Sequence, residues 1–480
     1  MLQTLKLKWI YSISISFILL NALFIYHEIY WILLLPLAIA IVLLSLFSLD
    51  KFLLLIVFLT PLSVVIENSD FNIGLSLPSE PLMFGAMILF IFKLIHKNNF
   101  DNRVLKHPVT IAIIVSLLWT FVTSVTSVMP LVSFKFLLSR LWFIIPFYFI
   151  GTQLFHKYKN INKFLWLSII PISIVVIYTI INHAGYDFEH KPAHWVMSPF
   201  YNDHTSYGAV LAMFFPVFFL FLKDDYSKVV KSLAVFFMLV FIVGIVFSYT
   251  RAAWLSLGFA GILGIIYLLK VRFLTLILTT TIVLGLFFAF QADLLMMIEK
   301  NRQDSSNNLT EHVQSMSNVT SDASNLERIN RWQSALRMFI EKPVFGWGPG
   351  TYAFQYAPFQ NSDEKTIIST NAGDGGNAHS EYIGPLVEQG VIGMLSFIII
   401  IICVYYRSTL LYIRLKDSRK KTLVLVVLLG FTTYVIHGFL NNFLDTDKAA
   451  VPFWSFLAIL TAMDIFHSKE NALPDDQQMG

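Results

Sequence analysis

GNAHSEYIGPLVEQGVIG, Gly376–Gly393, runs on into FIIIIICVYY, Phe397–Tyr406. A polar stretch with a single histidine meets an apolar run that holds no charge. An apolar run of this kind reads as a membrane span, and the polar stretch then lies at its edge. Similar apolar runs recur along the chain. Of 480 residues, 56% are apolar and 13% charged, and the mean hydropathy is +0.68. Soluble domains carry roughly 25% charged residues, so the composition excludes a string of soluble domains and predicts an integral membrane protein. A net charge of +4 gives no reason to expect nucleic-acid binding. The single cysteine, Cys403, excludes an internal disulfide and a thiolate metal site. Lys6 and Lys8 precede an apolar run with no small-residue cleavage site, which predicts an uncleaved first helix.

Hydropathy predicts helices at about 10–27, 30–49, 51–66, 82–97, 108–128, 131–154, 161–182, 203–222, 230–248, 253–269, 272–290, 391–406, 421–440 and 449–466. The expected fold is an all-α polytopic membrane protein of about 12–14 transmembrane helices with one long, partly helical outer loop. Residues 1–202 form its N-terminal helices, 203–466 a second transmembrane region that includes the loop 291–390, and 467–480 a tail. With both termini cytoplasmic, nearly all basic clusters fall on one side, among them Lys97–Lys106, Lys157–Lys163, Lys223–Lys231 and Arg407–Lys421. The other side receives Asn182–His204, Gln291–Gly390 and His437–Ala450.

The loop 291–390 is too long for a simple connection. NRQDSSNNLTEHVQSMSNVTSDASN, Asn301–Asn325, has a composition that cannot build a core. LERINRWQSALRMFIEKP, Leu326–Pro343, has helical period, with Arg328, Trp332, Ala335 and Phe339 on one face. VFGWGPGTY is a shaped glycine turn; it lacks the Lys-Ser/Thr of a phosphate loop. HSEYIGPLVEQ reads as a short helix stopped at Gly390, with the next span starting at Val391.

Charge near the bilayer centre costs about 2.5–3.5 kcal/mol per arginine on insertion scales. Arg140 in SFKFLLSRLWFIIP lies inside a span, and Arg251 in VFSYTRAAWLSL lies at an outer boundary. Arg328 and Arg331 open the loop helix. Arginine forks match phosphate oxygens, so these four point to an anion such as a diphosphate. The plain alternatives are snorkelling for Arg251, an intramembrane contact for Arg140 and surface charge for Arg328 and Arg331. His204 follows Asn202 and Asp203 at an outer helix start, and reads as a substrate contact or as part of a helix cap. Glu381 and Glu388 could orient His379 or an arginine, or face solvent. His437 sits near Asn441, Asn442, Asp445 and Asp447 and could line the same cavity. His183, His190 and His194 with Asp187 and Glu189 fit no standard zinc spacing.

The ordered set SYTRAAWLSL, ERINRWQSALRMFIEKPVFGWGPGTY and NAHSEYIGPLVEQGVIG resembles the O-antigen ligase and polymerase superfamily over about residues 200–445. HS stands where many members have His-Asn, and SYTR where many have adjacent Ser-Arg. The resemblance implies a metal-independent glycosyltransferase of the GT-C type that needs no cofactor. Its substrates would be an undecaprenyl-diphosphate-linked glycan and an acceptor hydroxyl, on lipid A-core for a ligase or on a growing glycan for a polymerase. It would act at the periplasmic face of a bacterial inner membrane. By position, Arg251 and Arg328 match the family's diphosphate-binding arginines and His379 its catalytic histidine. A protein O-oligosaccharyltransferase shares these motifs. A transporter or flippase of lipid-linked sugars is the competing class; it would need the arginines but no base.

Overall fold

The computed structural model describes residues 2–28, 30–68, 73–97, 100–270, 323–362, 365 and 376–468. The chain divides into two compact units, 1–55 and 56–480. The first holds the helices Leu2–Tyr26 and Leu35–Phe47, the second of which opens on Pro36. Proline suits that position because it has no N–H to lose there.

The second unit carries the site. Ten helices among the described residues are long and apolar enough to span a membrane, and Ser14–Tyr26 and Leu35–Phe47 are shorter apolar segments. The protein is thus an all-α polytopic membrane protein, as its composition predicts. The span expected at 272–290 lies outside the described residues. The span expected at 51–66 is not one. Its helix, Leu49–Leu59, has 11 residues and reaches only about 16 Å, against about 30 Å of hydrocarbon. A short turn containing Pro61 ends it, and the chain enters an antiparallel hairpin, Val64–Asn68 with Ile73–Leu77, with Val64 opposite Leu77.

Asp447–Phe466 is the centre of this unit. Its window is 89% buried, against 22% for Lys228–Phe247. A helix apolar on all sides and covered on all sides belongs in a core. Ser418–His437 and His204–Phe221 pack beside it, and Arg251–Leu268 packs on Ser418–His437. Small residues set these approaches: a Cβ on Gly430 would strike the Met213 carbonyl oxygen, so only glycine lets the two backbones come so close.

Both ends of the central helix are tied by charge. At one end the Asp447 carboxylate accepts from Ser63 Oγ and Ser79 Oγ at 2.6 Å each and from Lys448 Nζ at 3.1 Å. At the other, Asp464 pairs with Arg407 Nη2 at 2.6 Å and with His107 Nε2 at 3.1 Å. Each carboxylate has partners to offset its burial.

Candidate active site

The site begins with how the long loop is fixed. The loop helix, Ala323–Glu341, buries Ala335 and Met338 against Tyr352, Tyr356, Ala378 and Val387, with Phe339 partly buried. The face that packs is rotated from the one read from the sequence: Glu327, Asn330, Arg331, Ser334, Ala335 and Met338 are buried, while Arg328, Trp332 and Phe339 are only half-buried. The glycine turn after it is a clamp. Gly346, Gly348 and Gly350 have φ of 68°, 114° and 75°, the left-handed region that favours glycine. Trp347 N donates to Val387 O at 3.1 Å and Gly348 N to Glu388 O at 2.8 Å. These are carbonyls at the end of a helix, which otherwise lack partners. Gly390, at φ 70°, breaks Ile383–Arg414 into a short helix and a long span. Val391 N then donates to Pro343 O at 3.0 Å. The helix stop expected at Gly390 is present, and the two glycine motifs form one joint. Trp119 Nε1, from Pro108–Val125, donates to Gln389 O at 2.8 Å and secures the joint to the membrane helices.

His379 precedes that short helix at φ 46°. Histidine is among the few non-glycine residues enriched in this region. Its N–H donates to Asn377 Oδ1 at 3.0 Å. Asn377 O accepts from Arg331 Nη1 at 3.2 Å, and Arg331 Nε pairs with Glu327 at 2.8 Å. A Cβ on Gly376 would collide with the Arg331 guanidinium. Arg331 is buried and engaged by both partners, so it holds the histidine loop in place. Burial, with Arg331 and Arg328 nearby, pushes His379 down to about 4. The imidazole is therefore neutral at pH 7.

Three further elements bring polar groups to the same place. Arg328 Nε donates to Leu440 O at 3.3 Å, just past the helix that ends at His437. His437 is buried, and its Nε2 meets Asn441 Nδ2 at 3.1 Å. His204 opens its helix behind the cap Asp203, which accepts from Ser206 N at 2.8 Å. The His204 ring lies edge-on to His194 at 4.1 Å and within electrostatic reach of Arg328 and Arg251. Arg251 opens the helix Arg251–Leu268, where backbone N–H groups also attract anions. The corner before it is closely packed. Tyr249 has φ 50°, Thr250 Oγ1 donates to His204 O at 2.8 Å, and a Cβ on Gly208 would press on Thr250. His379, Arg328, Arg331, Arg251, His204 and His437 thus share one neighbourhood, with Asp203 and Glu327 as its carboxylates.

Arg140, Glu381 and Glu388 keep different company. Glu381 is buried, and its Oε1 accepts from Tyr434 Oη at 2.6 Å, Phe443 N at 2.8 Å and Leu444 N at 2.9 Å. Burial raises its pKa, with Arg140 opposing. Glu388 Oε1 accepts from Tyr352 N at 3.0 Å. Arg140 Nη1 donates to Leu444 O at 3.2 Å. Sequence reasoning had no signal for Asp203 or Glu327 as neighbours of His379, because they come from elements far apart in the chain. Among the described residues, no group of three or more His, Cys, Asp or Glu could hold a metal ion.

Fold and site together define a polytopic membrane protein with an arginine- and histidine-lined site where helix ends meet a structured loop. Residues 233–398 match the family model described as O-Antigen ligase, about a third of the chain. The match takes in Arg251, Arg328, Arg331, Glu381, Glu388 and His379, and leaves Arg140, His204 and His437 outside it. No curated protein matches the chain.

Proposed function

We propose that the protein moves a glycan from undecaprenyl diphosphate to an acceptor hydroxyl at the periplasmic face of a bacterial inner membrane. Lipid A-core is the first acceptor to test. The position of Arg328 near both His379 and His204, with Arg251 near His204, carries this reading. The bond from the sugar's anomeric carbon to the diphosphate oxygen breaks, and the leaving group departs as an anion. Preorganised guanidiniums of Arg251 and Arg328 stabilise the charge it gains. The acceptor oxygen attacks from the opposite face and inverts the anomeric centre. Its proton passes to the neutral His379 imidazole. Arg331 is a positioning residue in this scheme, and His204 and His437 line the donor side. Metal chemistry is not required, because the leaving group is already stabilised.

The test is transfer by purified, reconstituted protein from a defined undecaprenyl-diphosphate glycan, with lipid A-core, lipid-linked repeat units and a protein offered as separate acceptors. His379→Ala is expected to slow transfer by about 10²–10⁴-fold while donor binding persists. Near-normal transfer by that variant would remove the base assignment. The preferred acceptor separates ligase from polymerase and from protein glycosylation. Transbilayer movement of donor without transfer would favour a flippase.

A further inference from the structure

A cavity of about 140 Å³ borders the histidine loop. Arg140, Glu381, Glu388, Asp445 and Asn442 line it, and Asn377, Ala378 and Ser380, which flank His379, form one wall. We propose that this cavity binds a neutral sugar of the acceptor glycan, a reading that rests on the transferase function proposed above.

Four observations carry the inference. The cavity is lined by three carboxyl groups and one guanidinium, a set of oxygen acceptors and a fork of N–H donors that suits hydroxyl groups. Neither Arg140 nor Asp445 forms an ion pair among the described residues, although they share the cavity. The Asn442 side-chain carbonyl is buried and has no hydrogen-bond partner, a costly arrangement unless a ligand donor meets it. Phe136 lies 5.2 Å beneath the Arg140 guanidinium and, with Tyr352, gives the cavity aromatic walls suited to the C–H face of a pyranose. Acceptors, a fork-shaped donor and apolar ring faces together match a polyhydroxylated ring better than an anion or a lipid chain. The placement has a direct use. A sugar held against Asn377, Ala378 and Ser380 rests on the backbone that carries His379, while the donor diphosphate stays with Arg251 and Arg328.

The test uses the full-length protein in nanodiscs on an array of neutral saccharides, with inorganic pyrophosphate as competitor. Wild type is expected to bind a subset of neutral saccharides. Asp445→Asn and Asn442→Ala are expected to weaken that binding about tenfold each, and Arg251→Gln to leave it unchanged. In the transfer assay, Asp445→Asn is expected to raise the acceptor KM with no matching rise in the donor KM. No saccharide binding by wild type, equal losses in Asp445→Asn and Arg251→Gln, or displacement by pyrophosphate would overturn the assignment. Saccharide binding that persists in a protein without transferase activity would uphold the cavity and refute only the reaction.

Discussion

His379 is held by backbone geometry as much as by its neighbours. Its left-handed conformation, the Asn377 side chain on its N–H and the Arg331 contact to Asn377 O all fix where the ring points. Its acid–base behaviour follows from burial and from Arg331 and Arg328, which hold it at about 4. Protonation removes the base, so kcat/KM for donor-free protein is expected to fall as pH drops through about 4. The kcat profile reports the donor-bound state. There the diphosphate offsets the guanidinium charge, and the acid limb is expected at higher pH. Arg328→Gln is expected to move the kcat/KM limb upward, because a positive charge that opposes protonation is gone. A limb that stays in place in both profiles would detach His379 from the reaction. The glycine at 376 has a matching role: it leaves room for the Arg331 guanidinium that organises the loop.

At the scale of elements, the two glycine motifs act as a single joint. Gly390→Ala would add a Cβ against the Val344 carbonyl at a φ of 70°. The backbone conformation alone costs roughly 1–2 kcal/mol, and the collision adds to it. A lower unfolding midpoint in detergent is expected, with transfer activity falling in parallel. Trp119→Phe removes the bond to Gln389 O and trims the ring stacked on Phe345, and a loss of about 0.5–1.5 kcal/mol is expected from the bond alone. Equal stability of Gly390→Ala and wild type would mean that the joint is dispensable. The sequence made this joint half visible. Glycines at 346, 348, 350 and 390 announced turns, but nothing in one dimension pairs Trp347 N with Val387 O. Hydropathy located the long spans because each is a continuous apolar run. It failed at 51–66, where the apolar count continues past Pro61 into a strand. At the candidate site, Arg251 and Arg328 stand out as charge beside apolar sequence, whereas His379 stands out through the resemblance. The surroundings of Arg140 were not, since Glu381 and Asp445 reach its cavity only through folding.

For the whole molecule, the distribution of lysine and arginine makes a topological prediction. In a Cys403→Ser background, Ser362→Cys and Lys416→Cys place single thiols at two exposed positions. A membrane-impermeant maleimide applied to the periplasmic face is expected to label the first and not the second. Labelling of both, or of Lys416→Cys alone, would reverse the orientation and with it the side on which transfer occurs.

The tethered ends of Asp447–Phe466 also limit how this protein can move. Asp447 and Asp464 stand about 25 Å apart along one helix. The first is held by Ser63, Ser79 and Lys448, and the second by His107 and Arg407. A helix pinned at both depths cannot slide like a piston, because a shift of even one turn, about 5.4 Å, would strip both carboxylates of their partners. The central helix is therefore a fixed mast. Any large movement in this unit has to come from parts that move around it.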